Sequence, residues 1–393
     1  MRTAVDQQTI SYMNQSLVLD LIKKKGRITR AGISQALRLS PPSVSSNIEK
    51  LLKKGIILEY ESSTSNTGPG RKGTLIGINQ TFSYTLAISL SGPVLRIALG
   101  DTCENMVDYR QYDSIEGKSG SFIMEAIVTA IEDILEQNQI EISLVGVIVI
   151  CTPGVIDQQA GKIEFAPQIV DWDKINIITS LKEKFHSKVI LINDINAIAL
   201  GELTHGVGRK TKSFVYINIG LGIGAGIVLD GKLIQGERFA AGEVGYMLTA
   251  VEQLDSKPRF GHLESLISIQ SIRSNIARRL SINEGELTID KLNALYASNN
   301  LVVRQEIEYV SKLLAMSIVN ITAVLNTPLV CIGGIISEFN VDLENQISSY
   351  IQGMVPYPPA ICLSEMGSMG FIPGALHLGA EEILAQTINS NTI

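Results

Sequence analysis

Four glycines on alternate positions, Gly220, Gly222, Gly224 and Gly226, fall in the stretch NIGLGIGAGIVLDG at residues 218–231. Glycine at that density lets a backbone turn tightly and come close to another group, and a phosphate is the usual reason for such a loop. A second candidate stands in KVILINDINAIALGEL, an apolar strand that runs straight into a helix, with Asn193 and Asp194 at the junction. Ligands in α/β folds settle beyond the carboxyl ends of strands. That places this pair, with the loop after Pro153, at a candidate cleft. A carboxylate there can serve a ligand hydroxyl as hydrogen-bond acceptor or general base. It can equally cap the helix that follows.

The elements that must hold these residues alternate between two periods. From Thr81 onward, apolar strand runs alternate with amphipathic helices. TLAISLSGPVLRIALGD reads as strand, tight turn and strand. SFIMEAIVTAIEDILEQN reads as a helix with Ile123, Ile127, Ile131 and Ile134 on its apolar face. LVGVIVICTPG is a buried strand ending in a Pro-Gly turn, and FVYINIGLGIGAGIVLDGKLI is two strands hinged on the glycines. A mixed α/β body follows.

The first 80 residues have a different character. They carry 12 basic and 5 acidic residues, a net of +7, whereas the remainder carries 21 and 34, a net of −13. The overall charge of −6 conceals this division. A basic head on an acidic body suits a nucleic-acid partner. NQSLVLDLIKKKG places Leu17, Val18, Leu21 and Ile22 on one helical face, with Gly26 as a stop. Thr29 is the N-cap of a second helix. Ser40 is the N-cap of a third, where Pro41 is tolerated because the first turn has no use for its N–H. Val44, Ile48, Leu51 and Leu52 form the buried stripe of that helix. Ser43, Ser46, Glu49, Lys50 and Lys53 lie opposite, flanked by Ser45 and Asn47. Strand, Gly/Ser loop and strand follow, with Arg71 and Lys72 at the loop tip. This is the pattern of a winged helix-turn-helix. Arg30, Ser43, Ser45, Ser46, Lys50, Arg71 and Lys72 are its candidate DNA contacts.

The rest of the composition narrows the class. The chain has 393 residues, 45% hydrophobic and 18% charged, as expected of a globular protein with large cores. No run of 18 apolar residues suggests a membrane span, and no secretion signal opens the chain, so a cytoplasmic location is expected. Cys103, Cys151, Cys331 and Cys362 are scattered, with no CxxC pair, which suggests neither a disulfide framework nor a cysteine-rich zinc site.

In order along the chain, TPGVIDQQAGKIEFAPQIVDW, INDINAIALGE, INIGLGIGAGIVLDGKLIQG, AAGEVGYM and LVCIGGI resemble the motifs of the ROK family of bacterial sugar kinases and repressors. The resemblance covers nearly the whole chain. With its winged helix, the sequence is similar to the family's transcriptional repressors of the xylose, glucose and N-acetylglucosamine kind. The resemblance implies an actin-like ATPase fold, two α/β lobes flanking a cleft. It divides the chain into a winged helix at 1–80, a first lobe at 81–200 completed by a returning helix at 375–393, and a second lobe at 201–374 with the ligand cleft and a dimerisation surface.

The matched positions imply roles for single residues. Asn193 and Asp194 correspond to a sugar-binding asparagine and the catalytic aspartate of the kinases. Glu243 and Glu264 correspond to sugar-binding glutamates, and Tyr246 stands where the family has a histidine that touches metal and sugar. The kinases' Asp-x-Gly-Gly-Thr turn is here SLSGP, with Ser89 for Asp, Ser91 for the first Gly and Pro93 for Thr. Proline cannot donate an N–H. Losing such preorganised stabilisation costs ~3–4 kcal/mol, on the order of a thousandfold in rate. Leu221 replaces a Thr of the second phosphate loop. KPRFGHLESL replaces the zinc-binding cysteine cluster, and His262 alone cannot make a tetrahedral site. Gly333 and Gly334 match the loop beside adenosine and read here as a strand-to-helix turn.

The expectation is a sugar-responsive DNA-binding repressor of carbohydrate-utilisation genes. Its kinase-like body would bind a sugar or polyol without catalysis, zinc or Mg–ATP, and it would act on operator DNA as a homodimer. The rivals are an ATP-dependent sugar kinase with a DNA-binding head, and a repressor governed by a protein partner.

Overall fold

Hydroxyl caps set the starts of two helices in the head. In the computed structural model, which describes residues 7–61, 74–157, 161–165, 175–254 and 261–389, the head comprises α1 (Gln7–Lys25), β1 (Ile28–Thr29), α2 (Arg30–Leu37), α3 (Pro41–Lys53), β2 (Ile57–Tyr60) and β3 (Leu75–Ile78). Thr29 Oγ1 accepts from the Gly32 N–H at 3.0 Å, and Ser40 Oγ from the Ser43 N–H at 3.4 Å. The three strands form a sheet in the order β1-β3-β2. Val18, Leu19, Ile22, Ile33, Val44, Ile48, Leu51 and Ile76 fill the space between helices and sheet. The wing loop, with Arg71 and Lys72, lies outside the described residues.

The body continues with β4 (Tyr84–Ser89), β5 (Val94–Asp101), β6 (Met106–Ser114), α4 (Gly120–Gln137), β7 (Val145–Thr152), β8 (Val155–Asp157), β9 (Lys162–Phe165), α5 (Ile177–Phe185) and β10 (Lys188–Asn193). Next come α6 (Asp194–Thr204), β11 (Phe214–Ile219), β12 (Ile223–Leu229), β13 (Lys232–Ile234), α7 (His262–Ile267), α8 (Ile269–Leu280), α9 (Ile289–Ala297) and α10 (Leu301–Leu325). The chain closes with β14 (Leu329–Gly333), α11 (Leu343–Ile351), β15 (Ala360–Leu363) and α12 (Phe371–Asn389). Two five-stranded sheets result, in the orders β10-β7-β4-β5-β6 and β13-β12-β11-β14-β15. All six residues of β4 are buried, as expected of a strand covered on both faces.

By its contacts the chain forms two units. One comprises Met1–Ile150, Asn176–Ile190 and Leu376–Ile393, and the other Cys151–Ile175 and Leu191–Ala375. In the second unit, α8, α9, α10 and α11 cover the sheet with residues such as Ile272, Leu292, Ile307, Leu314 and Ile347. Helix α10 is long and apolar enough to cross a bilayer, but more than half of the relevant stretch is buried in this core.

In the first unit the C-terminal helix becomes part of the head. Leu384 and Ile388 of α12 belong to the same apolar core as α1 and α3. Lys54, just after α3, donates to the carbonyls of Thr387 at 2.7 Å and Ile388 at 2.9 Å. Those last-turn carbonyls lack helical partners and carry the negative end of the helix dipole. Lys23 of α1 bridges Glu104 at 2.5 Å and also pairs with Glu381 of α12. His377 Nδ1 lies 3.0 Å from the same Glu104 oxygen. The ligand atoms of Glu104, His377 and Glu381 fall within 4.8 Å of one another, a spacing that could hold a metal ion, but the Lys23 ammonium already supplies a cation there.

Burial alone would raise the Glu104 pKa, yet the His377 hydrogen bond and the neighbouring charges of His377 and Lys23 bring it down to about 2. A depressed carboxylate stabilises the fold fully above its ordinary value, and the gain is lost as pH falls toward 2. Removing Lys23 strands a buried carboxylate. Lys23→Met should cost about 2 kcal/mol and lower the Tm of this unit by about 4–8 °C at pH 7. Calorimetry checks this, and a Lys23→Met, Glu104→Gln double variant should recover part of the loss.

Candidate functional site

Asn193 and Asp194 mark the passage from β10 to α6. Asn193 is the N-cap: its Oδ1 accepts from the Ile195 N–H at 3.0 Å and the Asn196 N–H at 3.3 Å. Its Nδ2 donates to the Gly154 carbonyl at 3.1 Å, tying the Pro153–Gly154 turn to the helix start. The strand-to-helix junction and the Pro-Gly turn therefore meet. The Asn193 amide is largely spent on holding them. Asp194 is the first residue of α6, where the helix dipole favours its negative charge. Asn196, absent from the spacing-based candidates, is buried, with Oδ1 lacking a hydrogen-bond partner among the described residues.

Glu243 follows Gly242, whose φ of 95° and close approach to Ala225 exclude a side chain: a Cβ there would lie 1.9 Å from the Ala225 carbonyl oxygen. The Ala225 N–H in turn donates to the Gly242 carbonyl at 2.7 Å, fixing this segment against β12. Glu264 on α7 accepts from the Ile223 N–H at 2.9 Å, so one oxygen of this carboxylate anchors the glycine stretch. A Cβ on Gly222 would lie 3.1 Å from that oxygen. The alternating glycines thus have a packing reason. A Cβ on Gly224 would lie 2.5 Å from Ile195, and one on Gly226 would lie 2.3 Å from Ala199, both on α6. Alternate residues share one face of a strand, and α6 covers that face of β12.

Electrostatics tie the acidic residues together. The Glu243 pKa is raised, first by burial and then by the charges of Glu264 and Asp194. The Tyr246 phenol is pushed up by burial and by Glu243 and Glu264, although the residue as a whole is 44% exposed. Three carboxylates from separate segments therefore share one field, and they offer acceptors to a ligand rich in hydroxyl donors. A raised carboxylate contributes stability below its ordinary value and loses it as pH rises through the raised one. Glu243→Gln should therefore raise the ligand-free Tm at pH 7 and leave it nearly unchanged near pH 4. Melting curves at the two pH values check this.

The other matched positions are engaged locally. At the β4–β5 turn, Ser89 Oγ accepts from the Ser91 N–H at 3.2 Å, and Arg96 donates to the Ser91 carbonyl at 3.2 Å. The Ser91 N–H is thus engaged within its own turn, by the Ser89 hydroxyl. Gly333 ends β14 and faces the Tyr216 ring, and Gly334 turns the chain at φ 82° into a short 3-10 turn, Ile335–Glu338. His262 opens α7. Leu221 is 71% exposed.

On the head, Ser46, Glu49 and Lys50 are exposed along α3, Ser43 and Ser45 are half-buried, and Asn47 is buried. Arg30 pairs with Glu59 of β2 at 2.8 Å, and Lys50 donates to Ser11 of α1 at 2.9 Å. Arg38 stands exposed in the turn before α3, at φ 54°, a conformation uncommon for a residue with a side chain. Helical spacing could not select it, because it belongs to no helix face.

Fold and site define a protein with a winged helix-turn-helix head and a sugar-kinase-like α/β body. Residues 14–57 match the winged helix-turn-helix DNA-binding family, and residues 85–382 match the ROK family. The chain belongs to the ROK family. It is 26% identical to the xylose repressor of Caldicellulosiruptor bescii over 343 residues, 84% of this chain and 85% of that one. It is 24% identical to the N-acetylglucosamine repressor of Escherichia coli O6:H1 over 353 residues, 87% of this chain and 85% of that one. A solved ROK family transcriptional regulator, a homologue of the E. coli MLC protein, superposes with a TM-score of 0.81 at 23% identity, over 96% of this chain and 98% of that one. A ROK glucokinase from Streptomyces griseus, solved with glucose and AMPPNP, gives a TM-score of 0.62 at 18% identity, over 75% of this chain and 99% of that one.

Proposed function

We propose that this chain is a DNA-binding transcriptional repressor whose body senses a sugar or polyol and transfers no phosphoryl group. The observation that carries the reading is the shared field of Asp194, Glu243 and Glu264, in a chain that also bears a winged helix-turn-helix. In this reading Asp194, Glu243, Glu264 and Tyr246 contact the ligand, and Asn193 holds their support in place. Ser43, Ser45, Ser46 and Lys50 of α3, with Arg30, Arg38, Arg71 and Lys72, face operator DNA. The protein acts as a homodimer, so that two heads read two half-sites. Relatives named as xylose and N-acetylglucosamine repressors support it. The occupied Ser91 N–H at the β4–β5 turn weighs against the kinase reading.

Ligand binding relieves repression only through different affinities for two states. Tenfold relief of operator binding needs ~1.4 kcal/mol of coupling. The test is the melting temperature against a panel of sugars, polyols and sugar phosphates, each with and without Mg–ATP. A ligand at a hundred times its Kd stabilises by ~2.7 kcal/mol. A shift with one sugar and none with Mg–ATP is expected. A shift with Mg–ATP, together with consumption of ATP, would restore the kinase.

A further inference from the structure

Cys331 and Cys362 are not remote in the fold, as they are in the sequence. They are register partners on the neighbouring parallel strands β14 and β15. Directly opposed residues of adjacent strands project to the same face. Cys362 packs against the small apolar cluster that includes Cys331, Phe214 and Tyr216. Cys331 is fully buried, whereas Cys362 is half-buried on β15, the outermost strand of its sheet. The strand spacing of ~4.8 Å falls within the Cα separation that a disulfide spans. All four cysteines are free thiols, and among the described residues Cys331 and Cys362 are the two placed in register.

We infer that Cys331 and Cys362 form a reversible dithiol–disulfide site, oxidised by a peroxide. The roles of the two sulfurs follow from their surroundings. Cys331 is fully buried and its thiol is pushed up, whereas the half-buried Cys362, whose Sγ–H donates to the Val330 carbonyl at 3.8 Å, is the sulfur a peroxide can reach. Cys362 is thus the attacking sulfur. Its thiolate displaces hydroxide from hydrogen peroxide, giving a sulfenic acid. The Cys331 sulfur then attacks the Cys362 sulfur, and the departing hydroxyl leaves as water with the Cys331 proton. In balance, two thiols and one peroxide give one disulfide and two waters, and the peroxide takes the two electrons. A disulfide across adjacent strands is strained, which places it among the readily reduced, labile bonds.

The bond would staple β15 to β14 at a sensitive place. Ser364, two residues beyond Cys362, pairs with the fully buried Glu202 of α6 at 2.5 Å. Glu202 also accepts from the Val207 N–H at 2.9 Å.

The test treats full-length protein with stoichiometric hydrogen peroxide, removes the peroxide, unfolds the protein in denaturant containing N-ethylmaleimide to block the remaining thiols, and measures intact mass and cross-linked peptides. Two alkylated cysteines instead of four, a Cys331–Cys362 linked peptide and recovery of all four thiols with dithiothreitol are expected. Cys331→Ser should stop the reaction at a Cys362 sulfenic acid that dimedone traps. Cys362→Ser, with an unchanged melting curve, should slow thiol loss at least tenfold. Four reactive thiols after peroxide, a disulfide between molecules, or Cys103 as the first oxidised residue would each overturn the proposal.

Discussion

Ser46→Glu lowers operator affinity by about a hundredfold, equivalent to ~2.7 kcal/mol, and leaves the melting temperature unchanged. Ser46 is exposed on the outer face of α3 and takes no part in the core of the head. A carboxylate there would face phosphates instead of a hydroxyl that can hydrogen-bond them, and like charges at a DNA surface repel. Ser46→Ala removes one hydrogen bond and no more, so its loss should be only several-fold. The measurement is a titration of a duplex selected by the wild-type protein from a random pool, at two salt concentrations. The glutamate penalty should shrink as salt rises. Equal binding by wild type and Ser46→Glu would remove α3 from the operator interface.

Asp194→Asn abolishes the response to the sugar. A charged acceptor to a ligand hydroxyl contributes about 1.5–3 kcal/mol, and Asp194 also shares its field with Glu243. A hundredfold weaker Kd would cut the stabilisation at a fixed sugar concentration from ~2.7 to ~0.4 kcal/mol. Operator binding without sugar should be intact, and the sugar should no longer release the DNA. The thermal shift and the operator titration together read both arms. A full thermal shift in Asp194→Asn would exclude this carboxylate from the ligand site. Loss of operator binding without sugar would show that the substitution acts on the fold.

What the sequence discloses here is mostly local chemistry. Thr29 and Ser40 cap helices because a hydroxyl and an amide three residues on are neighbours in any chain that turns helical there. Ile123, Ile127, Ile131 and Ile134 are all buried on α4, since helical periodicity is written in consecutive residues. The Asn193–Asp194 junction is legible for the same reason. Contacts set by the return of distant segments are not. Nothing near Lys23 announces Glu104 or Glu381, and nothing near Lys54 announces the end of α12. Arg30 and Lys50 look free in a basic helical module, yet partners on β2 and α1 hold them. The glycine stretch suits a phosphate loop and a tightly packed strand equally well, and only the position of α6 distinguishes the two at Gly224 and Gly226.

The part that Leu384 and Ile388 take in the core of the head bears on how the protein is made. A ribosome delivers the reading helix early, but the carbonyls that Lys54 binds arrive 333 and 334 residues later. A chain stalled or clipped before residue 384 would carry α3 without the finished core that steadies it. Such a fragment would lack two apolar side chains of the head's core and both carbonyl acceptors of the Lys54 ammonium. The steadiness of the DNA-reading helix is thereby tied to a segment 333 residues further along the chain.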